Sequence, residues 1–104
     1  MENINGPELN KYQVTIHFKM DDSFMSLVPS HRNYINGLIE RSVFDYYSVS
    51  METQRCWIIV NAANKEEVEE ILSKSSLYKY WTIEIDELFV YDSQTYRFPA
   101  LQLN

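Results

Sequence analysis

The chain has 104 residues, enough for one domain with a single core rather than two. A net charge of −6 disfavours a dedicated nucleic-acid binder, which needs basic stripes to neutralise phosphates, and disfavours anionic membrane surfaces for the same reason. The single cysteine, Cys56, rules out an internal disulfide, and no apolar run reaches the roughly 18 residues of a membrane span.

Residues 1–10 are polar, include Gly6 and Pro7, and read as a disordered lead-in without the apolar stretch of a signal peptide. With one cysteine and no targeting segment, the expected compartment is the cytoplasm. From Tyr12 to Met20 apolar residues alternate with Gln13, Thr15, His17 and Lys19, the period of a half-buried strand. A helix is predicted from about Ser23 to Arg41, capped by Asp22 or Ser23. Its apolar stripe is Phe24, Leu27, Val28, Ile35, Leu38 and Ile39, with His31 lying along it. Pro29 removes one helical hydrogen bond, so a bend or a break is expected there.

Val43–Ser50 is rich in β-formers, Met51–Gln54 reads as a turn, and Arg55–Ala62 is a strand with apolar residues on both faces. A second helix begins at Lys65 and runs to about Ser73; Asn64 is its cap, and Glu67, three residues on, completes a capping-box pattern. The last strand is expected from Trp81 to Tyr91, with a β-bulge near Asp86 and Glu87 where the alternation slips.

The order is βαββαβ: an α+β, ferredoxin-like fold over residues 11–91, with a four-stranded antiparallel sheet and two helices on one face. Two helices leave the other face uncovered. Rings such as Trp57 and Phe89 left in water would each forfeit roughly 1.5–3 kcal/mol. A second copy of the sheet is the economical cover, so a homodimer is expected, with residues 92–104 packed on the dimer.

The pairs Phe24-Met25 and Val28-Pro29, then His31-Arg32, Tyr34-Ile35 and Leu38, carry a resemblance. So does the run Ser75 to Trp81 leading into Glu84-Ile85-Asp86-Glu87-Leu88. Over residues 12–91 the chain resembles the dimeric α+β barrel superfamily, in particular small muconolactone isomerase-like and YCII-like proteins. The resemblance implies a homodimer with facing sheets and a cleft for small organic molecules. The activities it implies are lactone isomerisation, metal-free oxidation or none known. It also implies a His–Asp pair: His31 stands in the matching H-x-x-Y-I context, with Asp45 and Asp86 as candidate partners. The chain departs from the pattern at Ser42, where a glycine usually ends the first helix.

The candidate catalytic residues are His31, as a general acid or base, and Glu84 and Asp86, two residues apart on one strand face. The more ordinary roles are a hydrogen-bonded structural histidine and solvated carboxylates. The candidate substrate-binding residues are His17 on the polar face of the first strand, Arg32 as a carboxylate clamp, and the rings of Tyr34, Tyr46 and Trp57. Tyr47 belongs with those rings, and Cys56 reads as buried packing. With two His, one Cys and two Gly, no metal motif or phosphate loop is present, and no cofactor is expected. The functions these residues allow are a cofactor-independent isomerase or proton-transfer enzyme acting on a small organic compound, a non-catalytic binder of a small ligand, or a structural dimer.

Overall fold

Tyr12, Val14, Ile16 and Phe18 all point to one side of the first strand and are buried there. The computed structural model describes residues 9–93. In chain order the elements are β1 (Asn10–Phe18), α1 (Phe24–Glu40), β2 (Phe44–Ser50), β3 (Arg55–Ala62), α2 (Lys65–Ser73), a 3-10 turn (Tyr78–Tyr80) and β4 (Trp81–Glu87). The strands form one antiparallel sheet in the order β2-β3-β1-β4. The architecture is α+β, and its order is compatible with a ferredoxin-like fold.

Both helices lie on the same side. Ile35 and Leu38 of α1 and Val68 and Leu72 of α2 share one core with Val14 and Ile16 of β1 and Ile58 and Val60 of β3. Asn64 caps α2 as its sequence suggests, its side chain accepting the Glu67 N–H at 2.8 Å. The Glu67 carboxylate reaches back to the Ala63 N–H at 2.6 Å, one residue earlier than in the usual capping box.

Several expected boundaries are corrected. β1 starts at Asn10, inside the expected lead-in, and ends at Phe18 rather than Met20. α1 runs unbroken through Pro29, so there is no break. At its start, Ser23 is the cap residue, but its side chain caps nothing; the Asp21 carboxylate accepts the Ser23 N–H at 2.9 Å instead. β4 stops at Glu87, where its ladder with β1 ends opposite Tyr12 and only the Leu88 N–H bond to the Lys11 carbonyl follows. Phe89 is 84 % exposed, outside any strand.

The bulge is in β2, not β4. Phe44 pairs with Val60 and Tyr46 with Ile59, leaving Asp45 as the extra residue. Asp45 is held there by Lys11 Nζ at 2.7 Å and by Asn61 Nδ2 at 2.8 Å. Helix α1 closes on Ser42, which has φ 63°. The Val43 N–H reaches the Leu38 carbonyl at 2.9 Å and the Ser42 N–H reaches that of Ile39 at 3.0 Å, a Schellman closure in which serine holds the left-handed position that favours glycine.

The face away from the helices is mostly polar. Its cross-strand rows include Ser48–Trp57–Thr15–Glu84 and Tyr46–Ile59–Gln13–Asp86. The residues after β4 return over one end of this face, where Lys11 Nζ lies 5.1 Å from the centre of the Tyr91 ring. Residues 1–8 and 94–104, which hold most of the expected lead-in and tail, lie outside the described residues. No described helix is long and apolar enough to cross a membrane.

Candidate functional site

Helix α1 crosses the sheet so that residues at three- and four-residue spacing face the ends of β2 and β3. Phe24, Met25, Val28, His31 and Arg32 thereby form one wall of a cavity of about 290 Å³. Tyr47 and Val49 of β2, Met51 of the hairpin and Cys56 of β3 form the facing wall. Phe18, Leu77 and Trp81 close the end. Phe18 stacks on Phe24 at 5.5 Å, and Tyr80 meets Phe24 edge-on at 5.0 Å. The Tyr80 hydroxyl donates to Asp21 at 2.8 Å, which ties the 3-10 turn to the start of α1. Apart from Arg32 the rim is apolar too: Met25, Val49 and Met51 are exposed.

One hydrogen-bonded chain runs through this apolar surround. His31 is 2 % exposed. Its Nδ1 lies 2.7 Å from Ser75 Oγ and its Nε2 lies 2.7 Å from Tyr47 Oη. Trp81 packs edge-on to the imidazole at 5.7 Å, and the Tyr47 ring is tilted against it at 5.6 Å. Burial, with a smaller push from the Arg32 guanidinium, lowers the His31 pKa to about 4, so the ring is neutral at pH 7. Burial raises the Tyr47 pKa, with the neighbouring Cys56 adding to the effect. Burial also pushes the Cys56 thiol up to about 12. The groups inside the cavity are therefore neutral. The cation is at its edge: Arg32 is exposed, sits 5.4 Å from the centre of the Tyr47 ring and donates to Asn36 Oδ1 at 3.1 Å.

No family model matches the chain, and no curated protein matches it.

The candidate residues divide between the two sides of the sheet. His31 and Arg32 meet at the cavity. Tyr34 is on α1 but points elsewhere; its hydroxyl donates to the Ile71 carbonyl at 2.7 Å and pins α1 to α2. His17, Tyr46, Trp57, Glu84 and Asp86 all occupy the opposite face, as their register partners require. His17 lines a separate polar depression with Lys19, Lys79 and Thr82. Neither Asp45 nor Asp86 reaches His31, whose ring nitrogens are engaged by Ser75 and Tyr47. The polar partners of His31 were thus the missing part of the sequence reading. Tyr47 appeared there only as one ring among several, and Ser75 not as a site residue. Ser75 carried no readable signal, because it follows His31 by 44 positions. Among the described residues, no group of three or more His, Cys, Asp or Glu side chains converges to hold a metal.

Proposed function

We propose that this protein binds a small, largely apolar molecule in the cavity between α1 and the sheet. The observation that carries the reading is an apolar space of about 290 Å³ with a largely apolar rim and a neutral His31–Tyr47 pair in its wall. Protein interiors are normally packed without voids much larger than a water molecule. A space of this size is near the lower end of ligand pockets, roughly 300–1,000 Å³, and fits a single-ring compound. Its few polar groups give an orientation to whatever enters.

Titration of the full chain with ethylbenzene or indole, followed by NMR, tests the reading. Saturable shifts are expected at the Trp81 indole and the Met25 methyl, and Val28→Trp, which fills the space, should abolish them. If no small apolar compound moves these signals, the reading fails.

Proton transfer, as in the isomerases the sequence resembles, is the second reading. It is favoured by one feature: Tyr47 and His31, joined by a hydrogen bond, both line the cavity. It requires Tyr47-dependent exchange of a substrate C–H for deuterium. A sheet-to-sheet homodimer, supported by Trp57 and the 42 % exposed Tyr46 on the open face, is the assembly this reading carries. Sedimentation showing a single chain at micromolar concentration would remove it. The lone Cys56, needing no oxidising compartment, supports a cytoplasmic location.

A further inference from the structure

The hydrogen bonds around His31 favour one direction for the protons in the chain. Ser75 Oγ accepts the Leu77 N–H at 3.0 Å. A serine hydroxyl has one hydrogen to give, and among the described residues the acceptor in reach of it is His31 Nδ1 at 2.7 Å. Nδ1 is therefore the unprotonated nitrogen, and the neutral ring carries its hydrogen on Nε2. That N–H donates to Tyr47 Oη at 2.7 Å. The phenol accepts from His31, so its own hydrogen turns away from the imidazole. On that side stands the Cys56 thiol, a weak acceptor that takes the Tyr47 hydrogen and itself lines the cavity. The chain runs Leu77 N–H, Ser75 O–H, His31 Nε2–H, Tyr47 O–H, and it ends at the cavity wall, where an acceptor stronger than the thiol would draw the Tyr47 hydrogen.

Arg32 adds charge of matching sign at the same place. Its guanidinium lies beside the Tyr47 ring, also reaches the Tyr47 hydroxyl, and among the described residues shows no ion pair. A donor with a cation behind it suits an oxygen that carries negative charge. It gives nothing to a ligand that can only donate.

We propose that the molecule taken into this cavity is a compact aryl or branched-alkyl oxyanion, a carboxylate above all, whose oxygen accepts the Tyr47 hydrogen while its charge faces Arg32. This rests on the small-molecule reading and names its ligand class. The apolar body fills the space between Val28, Leu77 and Trp81, and the anionic end stays at the rim where water and Arg32 solvate it.

The test compares three ligands of similar shape on the full chain by NMR titration: ethylbenzene, phenylacetate and phenethylamine. Phenylacetate is expected to bind at least about tenfold more tightly than ethylbenzene, as one charge-assisted hydrogen bond would give. Phenethylamine should bind more weakly than either. Tyr47→Phe and Arg32→Gln should each bring phenylacetate down towards ethylbenzene. If ethylbenzene binds as well as phenylacetate, the oxyanion assignment is wrong and the cavity reading stands. If none of the three binds, both fall. A ligand-free measurement on the unmodified protein covers the case in which a variant does not fold: nitrogen-15 correlation spectra should show His31 protonated on Nε2. Protonation on Nδ1 would reverse the chain and overturn the proposal.

Discussion

On the helix side of the sheet, His31, Ser75 and Tyr47 are joined by two bonds of 2.7 Å. On the other side, Lys11 is joined at 2.7 Å both to Asp45 and to Asn61. The two trios meet the cost of burying polar groups in opposite ways. The first avoids charge: the imidazole gives up its proton and each nitrogen keeps a hydrogen bond. The second keeps its charges and places them opposite one another, with Asp45 on a bulge near water. A neutral network suits a wall facing an apolar cavity, where an unpaired charge would be most costly. An ionic one suits a polar face.

The largest effect should come from breaking the neutral trio. His31→Ala removes two hydrogen bonds, strands the Ser75 and Tyr47 hydroxyls and opens a void. A loss of about 2–4 kcal/mol in urea unfolding is expected. A loss below about 1 kcal/mol would mean that the trio does not hold α1 to the sheet.

Acid should come next. The folded His31 pKa, about 4, lies below its usual value of 6.5. The unfolded chain therefore binds the proton more readily than the folded one. Stability is full above about pH 6.5 and falls as pH drops through 4. In His31→Ala this part of the pH dependence should vanish.

On the ionic side, Asp45→Ala takes the carboxylate from Lys11 while the bond to Asn61 stays; a loss of about 1–2 kcal/mol is expected. High salt should weaken the parent protein more than this variant. The two substitutions should add to within about 0.5 kcal/mol, since they share no partner. A larger coupling would show that the faces are not independent.

Ser42→Gly should give the smallest change and the opposite sign. It relieves the left-handed backbone at the end of α1 and keeps the Ser42 carbonyl that accepts from Asn61 Nδ2 at 3.1 Å. A gain of about 0.5–1 kcal/mol is expected.

Much of this architecture is legible in the sequence where burial is one-sided. β1 alternates because one face is core and the other polar, and α2 announces its start through Asn64 and Glu67. Legibility fails where pairing depends on a distant strand. Leu88 to Tyr91 alternate as a strand would, yet the ladder with β1 ends at the Tyr12–Glu87 pair, although Lys11 and Asn10 extend β1 beyond it. The bulge at Asp45 answers to Lys11 and Asn61, which are 34 and 16 positions away. His31 could be singled out because a polar ring on an apolar stripe is conspicuous. Its partners could not, since Ser75 and Tyr47 come from other elements. In the sequence Glu84 and Asp86 fall on one strand face and His17 on the polar face of the first strand; pairing brings these onto one face of the sheet, the one turned away from His31.

The two tryptophans are divided between the same two environments. Trp57 stands in the open-face row beside Thr15, while Trp81 lies in the cavity, edge-on to His31 and 6.2 Å from Tyr78. The fold therefore carries a built-in optical label on each side of its sheet. Replacing Trp57 by Phe leaves an indole whose fluorescence reports the cavity alone, and a protonated imidazole against that indole quenches it. Emission from this single fluorophore records the charge of a buried histidine as acid is added, in a protein without any attached dye.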